Sequence, residues 1–550
     1  MSSEIKIWIL LLLAVGWFSS NAQVNSANKQ LYLFTDREYC ISGDTLWFKV
    51  LISENGIDRS DVVRVQLDSK NGNLIAGVAK KSKNRWAEGF IHVPDSLSTG
   101  VYFVSTFLNS QRSLPQFEVP GKTLFVYNRF EESVTEMAVP EMPESGKRNN
   151  GNKPVKIATV KSDYTSGEMV QGSVEIKSDE IAHAVISARM IDPLSHRTGG
   201  RTNYVGTGAY PEIPHFEEKN GIMVSGYIAD QEGILQKNTL VLLSIAGDPP
   251  YFDYCITGDK GDFNFYLQNA TGTAKVVLQA VSLESNELVI KPVLNHLQRN
   301  GDIQLTSKLL TPDQSDFIKV ALQGNFINKL FNPARLKANG FFEMPNRYDI
   351  PFYGPPTKRI VPAEFIDLPD FREISRELLP GVQYRVKNSE VTFRMIDIIH
   401  NTIFDNEPLR LINGIPVFKN SLFSSLKSTD IDYIDIVQTE RIFGDVIFKG
   451  ILAVSLHNKS DLWMSQQPNI FTFNIPCLQP DRKPGYLTFE KLDSSIPDVR
   501  QVYLWEILDT GRLNDFSFNL SDYKGKVEIA VEGTTLTGQY FKTSKTIDVK

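Results

Sequence analysis

The sequence predicts a mainly β protein, built from tandem antiparallel β-sandwiches with a small α+β domain in its second half. Short apolar and β-branched runs follow one another from residue 30 onward, and Gly, Asn and Asp turn signals separate many of them. The composition is that of a globular protein, with 41% hydrophobic and 22% charged residues. A length of 550 residues is enough for about three to four domains.

The first residues have the pattern of a secretory signal peptide. Lys6 precedes the apolar run Ile7–Phe18, and Ser20-Asn21-Ala22 follows as a small-x-small cleavage pattern. The run is shorter than the about 20 apolar residues that cross a bilayer. We therefore expect residues 1–22 to be removed from an exported protein without a transmembrane segment, and an uncleaved anchor is the alternative.

Charge and cysteine usage narrow the functional classes. The net charge of −6 argues against a dedicated nucleic-acid binder, which needs a broad basic field. Cys40, Cys255 and Cys477 are widely separated and form no CxxC motif. An odd number of cysteines leaves at least one thiol unpaired in an oxidising compartment, and the pairing stays open. We interpret all three as small buried hydrophobes.

The segment 23–130 predicts the first β-sandwich. Val63, Val65 and Leu67 alternate with Arg64 and Gln66, which predicts a strand with one buried face. The run at 101–108 does not alternate, so its faces stay open. The expected strands are 31–34, 45–52, 62–68, 74–79, 86–93, 101–108 and 122–127.

The rest of the chain divides by changes of composition and period. A Glu- and Pro-rich linker is followed by a second sandwich that ends in a Gly-rich, mobile loop at Ser195–Tyr210. Helical spacing begins at Thr311, and Phe371–Leu379 predicts a short helix ended by Pro380-Gly381. The expected segments are the linker 131–154, the second sandwich 155–215, a third β-sandwich 219–300, a helical connector 305–340, an α+β domain 341–460 and a C-terminal β domain 461–550.

Several segments resemble known families. Thr35-Asp36-Arg37 followed by Tyr39 and by Ser42–Phe48 (SGDTLWF) resembles the opening of a macroglobulin-type domain, and Leu97–Tyr102 resembles its late turn and strand. By this resemblance, 23–130 and 155–215 are macroglobulin-like sandwiches. The C-terminal domain 461–550 is similar to a terminal macroglobulin-type module, through the stretch from Val502 to Thr534.

Two further resemblances concern the middle of the chain. Val224-Ser225-Gly226 and the hairpin 257–265 are similar to a carboxypeptidase regulatory-like domain. Pro408–Val417 and Asp430–Val437, with Gly450–Val454, resemble the plug domain of TonB-dependent outer-membrane receptors. The residues after the plug-like block are too few for a barrel of about 22 strands. We therefore do not expect transport by this chain alone.

Three short motifs invite a chemical interpretation, and each has a simpler structural one. Gly121-Lys122-Thr123 is similar to the end of a phosphate-binding loop, but Gln116 replaces the first Gly and a strand follows. Ser424–Lys427 and Ser521–Lys524 have the Ser-x-x-Lys spacing without the partner motifs of that chemistry. We expect polar turns or helix surface at both.

Metal chemistry is not predicted either. No two of the 7 His stand at i, i+2 or i, i+4. Asp259 and Asp262 are few for the roughly 6 to 8 oxygens that Ca²⁺ prefers, and a hairpin turn explains them. Asp430, Asp432 and Asp435 could form a cation patch, but strand period puts the first two on one solvated face and Asp435 on the other. No catalytic, cofactor-binding or metal-binding residue is therefore assigned.

These observations predict a non-enzymatic cell-envelope protein that acts by protein–protein interaction. Its combined resemblances are those of Gram-negative envelope proteins, which implies a periplasmic or outer-membrane-associated place, accessory to a TonB-dependent complex. Its partners would be proteins. Partner identity and oligomeric state stay open.

Three alternatives remain. The first is a macroglobulin-like protease sensor or inhibitor that is cleaved at Ser195–Tyr210, without a thioester, because no Cys begins a Cys-Gly-Glu-Gln motif. The second is a hydrolase that uses Ser424 or Cys255. The third is sugar binding by an exposed tryptophan, for which the candidates are Trp47, Trp86 and Trp505, although buried sandwich aromatics are more common.

Overall fold

A computed structural model of this chain describes most of its residues. The expected signal peptide at 1–22 and residues 141–154 of the expected linker lie outside the described part. Backbone alone is described at 113, 140 and 201–206. The described residues are 29–53, 61–113, 117–131, 134–140, 155–177, 179–194, 201–206, 217–247, 249–281, 288–293, 297, 305–331, 350–388, 390–457, 467, 469–485, 497–510 and 512–550.

The chain folds into two compact units, each described here by itself. The first unit comprises residues 1–222, 295–340 and 478–550, and the second comprises 223–294 and 341–477. Both consist mainly of β-sheets, which confirms the predicted mainly β fold class. Among the described residues, no helix combines the length and the apolar character needed to cross a membrane.

Among the described residues up to 206, the regular elements are strands and a 3₁₀ turn at Asn109–Ser113. In chain order its strands are β1 (Gln30–Thr35), β2 (Tyr39–Ile41), β3 (Thr45–Ser53), β4 (Val62–Asp68), β5 (Leu74–Lys81), β6 (Trp86–His92), β7 (Gly100–Leu108), β8 (Phe117–Tyr127), β9 (Glu136–Pro140), β10 (Val155–Thr159), β11 (Asp163–Tyr164), β12 (Met169–Ile176), β13 (Ile181–Met190) and β14 (Arg201–Gly206).

The remaining strands continue in the same order, with helices α1 (Pro312–Phe331) and α2 (Phe371–Leu378). They are β15 (Gly221–Asp230), β16 (Leu240–Ile245), β17 (Tyr251–Ile256), β18 (Asp262–Gln268), β19 (Thr273–Val281), β20 (Leu288–Pro292), β21 (Leu305–Leu309), β22 (Lys358–Ile360), β23 (Val382–Lys387), β24 (Glu390–Asp397), β25 (Thr402–Ile403), β26 (Leu409–Ile412), β27 (Ile415–Pro416), β28 (Ile431–Phe443), β29 (Val446–Leu456), β30 (Ile470–Pro476), β31 (Val502–Leu508), β32 (Asn514–Asn519), β33 (Gly525–Thr535) and β34 (Tyr540–Val549).

The first sandwich packs two sheets of the first unit face to face. One sheet has the order β1-β3-β6, and the other has the order β14-β8-β7-β4-β5, with β2 paired to β8. Alternate residues such as Leu33, Val50, Val65 and Val104 form the apolar layer between them. β14 occupies the edge next to β8, so residues 201–206 of the expected mobile loop are a strand.

Strand β4 corrects the prediction of a strand with one exposed face. Arg64 and Gln66 are only 3% and 2% exposed. Arg64 Nε donates to Glu218 Oε2 at 2.9 Å, and Gln66 Nε2 donates to the carbonyl oxygen of Leu297 at 2.8 Å. Their partners come from distant segments that cover the outer face, and buried polar side chains persist only when they are paired in this way. Strand period alone therefore cannot distinguish a paired polar face from a solvated one.

The second apolar face of sheet β8-β7 explains why residues 101–108 do not alternate. Helix α1 places Ile318 and Ala321 against Phe103 and Phe125, beside a hairpin formed by β9 and β21. The helix starts where the sequence predicts, because the Thr311 N–H donates to Gln314 Oε1 at 2.8 Å as an N-terminal cap. Strand β9 lies within the expected linker 131–154, so that segment is not linker throughout.

The second sandwich is assembled from two segments far apart in sequence, 155–190 and 502–549. Its sheets have the orders β10-β12-β32 and β11-β34-β33-β13-β31, and β13 lies between β31 and β33. The pattern predicts separate modules at 155–215 and 461–550, whereas these strands share sheets and one apolar core. The apolar pattern identifies a strand but not its neighbour, and sheet edges are stabilised when any suitable strand pairs with them.

The second unit contains two β-rich halves. The first half has the sheets β18-β15-β20 and β17-β16-β19-β30, and β30 comes from the expected C-terminal domain. The other half combines β22-β28-β29-β26-β27 with β23-β24-β25 and α2 around Phe371, Phe393 and Phe423. Asp370 caps α2 by accepting from the Glu373 N–H at 2.9 Å, which agrees with the predicted short helix.

Buried ions join the two sandwiches of the first unit. Arg189 Nη2 lies 2.9 Å from Glu38 Oε1 and 3.2 Å from Glu528 Oε2. Lys122 Nζ lies 2.7 Å from Glu532 Oε2. We call this set of three cations and three carboxylates the buried charge network; its members are Lys122, Arg189, Lys542, Glu38, Glu528 and Glu532.

The charges of the network stabilise one another in a place with little water. Burial raises the pKa of Glu38, but the attraction of Arg189, Lys542 and Lys122 outweighs burial and lowers this pKa to about 2. The same cations hold the pKa of Glu532 well below its usual range despite its burial. Glu38 and Glu532 are therefore ionised in the folded state at neutral pH, and removing one cation leaves a buried negative charge uncompensated.

The substitution Arg189→Met is expected to destabilise the full-length protein by about 3–5 kcal/mol, because the buried side chains of Glu38 and Glu528 would lose the cation that they share. Urea denaturation followed by circular dichroism measures the change. The control is Arg512→Ala, whose side chain is 82% exposed and whose loss should change stability by less than about 0.5 kcal/mol. Equal stability of the two variants would contradict a structural role for the network.

Acid should weaken the first unit over a defined window. Because the folded-state pKa of Glu38 is lowered from 4.5 to about 2, its contribution is complete above pH 4.5 and is lost as the pH falls towards 2. Urea midpoints measured across this window should fall more steeply for the wild type than for Glu38→Gln. Parallel pH profiles of the two proteins would show that the lowered pKa does not stabilise the fold.

Candidate functional site

A pocket of about 290 Å³ lies in the first unit, at the outer strand β6 of sheet β1-β3-β6. Five parts of the chain line it: the segment from Arg37 to Trp47, strand β6, helix α1, and the segments at 482–485 and 499–502. We call it the aromatic pocket. Its aromatic side chains come from β3 and β6, and basic side chains come from three of its surrounding segments.

Cross-strand register builds the aromatic wall. Trp47 on β3 lies opposite Phe90 on β6, and Thr45 lies opposite His92. Side chains two residues apart point to the same face of a strand, so these side chains share one side of the sheet. The ring centroids of Trp47 and Phe90 are 5.0 Å apart, and those of Phe90 and His92 are 5.4 Å apart. The result is a continuous aromatic surface.

His92 stands at one end of this surface. Its Nδ1 lies 3.0 Å from Thr45 Oγ1, whereas its Nε2 is buried and has no hydrogen-bond partner among the described residues. Burial, assisted by the charge of Arg482, lowers the pKa of His92 below its usual value. His92 is therefore neutral at neutral pH.

The segment after Leu478 is fastened to β6 by one side chain. The Phe90 N–H donates to Gln479 Oε1 at 2.9 Å, and Gln479 Nε2 donates to the Phe90 carbonyl oxygen at 2.8 Å. Gly89 permits this approach, because a Cβ there would lie 2.5 Å from Gln479 Oε1. The clasp brings the Arg482 guanidinium to 5.7 Å from the Phe90 ring centroid, within cation–π range.

The opposite side of the pocket is a turn held by acidic residues. Asp36 Oδ1 accepts from the Trp47 N–H at 3.1 Å and so fixes the start of β3. Asp44 Oδ2 accepts from the Ile41 N–H at 3.1 Å and lies 3.7 Å from Arg37 Nη1, and Asp44 Oδ1 accepts from Asn325 of α1. Burial raises the pKa of Asp44 above its usual value, partly offset by Arg37.

Arg500 forms a fixed positive part of the rim. Its Nη2 donates to Asp498 Oδ2 at 2.6 Å and to the Asn519 carbonyl oxygen at 3.1 Å. The side chain is only 10% exposed. Several donors aimed at fixed acceptors hold a guanidinium in one orientation, so the ion pair with Asp498 fixes Arg500 at the rim.

One side of this pocket consists of residues from a segment that the sequence singles out by its family resemblance. Arg37, Asp44, Thr45 and Trp47 belong to the motif that resembles a macroglobulin-type opening, and here they line a cavity. Trp47, a candidate for sugar stacking, is half-buried at the pocket. Trp86 and Trp505, the other candidates, are 9% and 4% exposed and pack inside the first unit.

The sequence does not identify the basic residues on the other side of the pocket as functional candidates. Arg482 and Arg500 stand in a polar stretch without periodicity, and Asn325 stands on a helix whose pattern indicates only packing. The signal that could have found them is the cluster Asp481-Arg482-Lys483, an ionic group next to Gln479. This cluster is far from β6 in sequence, so its proximity to β6 in the fold cannot be inferred from the sequence.

The chemical motifs weighed from the sequence have structural roles. Lys122 lies in β8 and belongs to the buried charge network. Ser521 is fully buried, not on a surface, and its Oγ lies 2.8 Å from the Tyr503 hydroxyl oxygen. Ser424 is exposed, and its Oγ lies 2.7 Å from the Tyr384 hydroxyl oxygen. In the hairpin turn, the Gly261 N–H donates to the Gly258 carbonyl oxygen at 2.9 Å.

The acidic residues Asp430, Asp432 and Asp435, at the start of β28 and within it, do not form a joint cation patch. Asp435 is fully buried, and Arg359 donates to its two oxygens at 2.6 and 2.7 Å. Asp430 is exposed, and Asp432 pairs with His457. Within the described residues, no group of three or more His, Cys, Asp and Glu is placed to hold a metal ion.

All three cysteines are described. Cys40 and Cys477 are buried, and Cys255 is half-buried. Burial raises the pKa of the Cys40 and Cys255 thiols above their usual value, so both are protonated at neutral pH. A protonated thiol is a poor nucleophile, which disfavours the hydrolase interpretation at Cys255.

Comparison with known proteins gives weak similarity only. No family model matches the chain, and no curated protein matches it. Escherichia coli alpha-2-macroglobulin activated by porcine elastase aligns with 95% of this chain and 44% of its own at 9% identity, with a TM-score of 0.23. Salmonella alpha-2-macroglobulin reacted with methylamine aligns with 96% of this chain and 40% of its own at 9% identity, with the same TM-score of 0.23. The Yersinia pseudotuberculosis adhesin InvE aligns with 53% of this chain and 63% of its own at 11% identity, with a TM-score of 0.14. The chain thus spans less than half the length of these macroglobulins.

The substitution Gly89→Ala is expected to open the clasp on β6, since the new Cβ would lie 2.5 Å from Gln479 Oε1 and 2.6 Å from Phe48 Cζ. Overpacking of this kind costs about 1–3 kcal/mol, and a lower urea midpoint measures it. Gly77→Ala is the matched control, because the nearest atom to its new Cβ would lie at an ordinary 3.7 Å. Similar midpoints for the two variants would show that the clasp tolerates a side chain.

Proposed function

We propose that this chain is a non-enzymatic, exported cell-envelope protein that acts by binding another protein through the aromatic pocket. Its place is the periplasm or the outer membrane of a Gram-negative bacterium, where it serves as an accessory to a TonB-dependent complex. The export signal and the plug-like block at 408–456 support this place by sequence resemblance.

The residue composition of the aromatic pocket is the main observation that supports this proposal. Trp and Arg are the residues that most often dominate the binding energy of protein–protein contacts, and they do so in concave, well-packed places. Here Trp47 and Phe90 form the wall, and Arg37, Arg482 and Arg500 surround it. A volume of about 290 Å³ is at the small end of ligand pockets, which span about 300–1,000 Å³, and suits one anchoring side chain.

The polar groups of the pocket serve to position rather than to react. Asp44 is held by Ile41, Asn325 and Arg37, so its carboxylate fixes the turn before β3. Asp498 is occupied in the same way by Arg500. A rigid frame of this kind lowers the entropy lost on binding a partner.

The test is crosslinking in native envelopes followed by capture of the full-length protein. An outer-membrane receptor should be captured by the wild type and lost, by about ten-fold or more, with Trp47→Ala. The control is Phe130→Ala, which removes another aromatic ring with an arginine above it, 68% exposed and outside the pocket. Recovery of abundant soluble proteins alone, equally with all three proteins, would refute the proposal.

The alternative is a thioester-less protease sensor. It requires cleavage of the expected loop Ser195–Tyr210, of which 201–206 form strand β14 and the remainder lies outside the described residues. Incubation with proteases of different specificity decides between the two functions. A single cut within that loop, accompanied by a change in hydrodynamic radius, would favour the sensor, and cuts elsewhere without such a change would favour docking.

A further inference from the structure

We propose that the second unit carries a docking groove for a basic amphipathic segment of a protein partner, in which large apolar side chains on one face are flanked by Lys or Arg. This inference goes beyond the proposed function and does not rest on the aromatic pocket. The groove has a volume of about 650 Å³ and lies between the loop that precedes helix α2 and the helix itself. We call it the acidic groove; it is lined by residues of 364–368 and 373–378.

Two large apolar side chains of the acidic groove are exposed. The exposed fraction is 51% for Phe365 and 77% for Ile366. In the same groove, Leu368 is buried in the apolar core around α2, and Leu378 is half-buried against that core. An exposed apolar patch with a polar rim commonly marks an interaction site. The groove therefore offers a partner an apolar floor as well as two apolar side chains beside it.

The loop that carries these side chains is held in place on both sides of Ile366. The Phe365 N–H donates to the Pro362 carbonyl oxygen at 3.0 Å. The Leu368 N–H donates to Ser428 Oγ at 2.7 Å, and the Leu368 carbonyl oxygen accepts from the Ser428 N–H at 3.1 Å. The exposure of Ile366 is therefore built into the fold, and binding at a loop that is already ordered loses little entropy.

The charge at the rim decides which kind of partner fits. Three of the lining residues are carboxylates, and the one cation, Arg376, already lies 2.7 Å from Glu377 through its Nε. The side chains of Glu364 and Glu373 form no salt bridge or hydrogen bond among the described residues. Glu373 and Glu377 stand four residues apart on α2, a spacing at which like charges repel. A cationic partner would compensate this excess of negative charge.

The placement of the carboxylates favours a peptide over a metal ion. In the described part of the chain, no three acidic, His or Cys side chains are placed to hold one ion. The carboxylates of the groove are therefore spread out, and separate Lys or Arg side chains can reach them. The same negative charge repels nucleic acids and anionic lipid surfaces.

The size of the groove also fits a peptide segment. Its volume lies in the middle of the range of about 300–1,000 Å³ that is typical of binding sites, so it takes more than one side chain. Amphipathic helices bind in apolar grooves through anchors at i, i+3, i+4 and i+7, and charges beside the anchors meet the rim. A basic amphipathic helix matches the acidic groove in both respects.

The experiment measures the fluorescence anisotropy of labelled peptides that are titrated with the full-length protein at low salt. The first peptide, of about 15 residues, has Leu on one helical face and Lys on both flanks. The second has Glu in place of each Lys, and the third has the composition of the first in an order without an apolar face. The wild type should bind the first peptide about ten-fold more tightly than either of the others, and this binding should weaken as salt is added.

A variant of the apolar part tests the floor and wall of the groove. Ile366→Ser should lower the affinity for the first peptide about ten-fold, because it removes the more exposed of the two apolar side chains. Its matched control is Ile399→Ser, since Ile399 is 69% exposed in the same unit and lies outside the groove.

A variant of the charged part tests the rim. Glu364→Gln combined with Glu373→Gln should lower the affinity for the first peptide about ten-fold and reduce its salt dependence. The matched control is Glu390→Gln combined with Glu506→Gln, which removes two exposed carboxylates outside the groove.

Equal binding of the first and second peptides, or unchanged binding by both groove variants, would overturn the inference. Self-association of the protein in sedimentation experiments that Ile366→Ser abolishes would also overturn it, because a second copy of the chain would then occupy the groove. If receptor capture is lost with Trp47→Ala while no peptide binds at the groove, this inference fails and the proposed function stands.

Discussion

Ion pairing inside the first unit is the constraint on which the rest of its structure depends. Arg189 belongs to a strand of the second sandwich, while Glu38 follows the first strand of the first sandwich. Lys122 and Glu532 repeat the connection a short distance away. Burying so many charges is costly unless each is compensated, so the two sandwiches are stable only in the orientation that brings the opposite charges together.

That fixed orientation makes the aromatic pocket possible. The wall of the pocket belongs to the first sandwich, whereas Arg500 stands next to β31 of the second. Helix α1 reaches the same place because it packs on the outer face of β7 and β8. A change in the relative orientation of the sandwiches would separate these groups.

Some parts of the pocket are held by contacts between residues close in sequence, and others by contacts between residues far apart in sequence. The Thr35–Phe48 motif could be recognised in advance because turn, strand and side chains are all local. Gln479 could not, because its reciprocal hydrogen bonds with Phe90 join residues far apart in the chain. Arg64 and Gln66 are a second example. Their polarity predicts contact with solvent, but partners distant in sequence bury them.

The sequence by itself determined the mainly β class, the positions of most strands, the start of α1 and the extent of α2. These features follow from alternating apolar residues, capping side chains and turn signals, which act within a few residues. Only the tertiary structure decided which strands share a sheet, that strands β31 to β34 complete the second sandwich, and that a pocket lies beside β6. Sheet pairing and charge compensation are long-range interactions, and an apolar period carries no information about the partner that a strand will find.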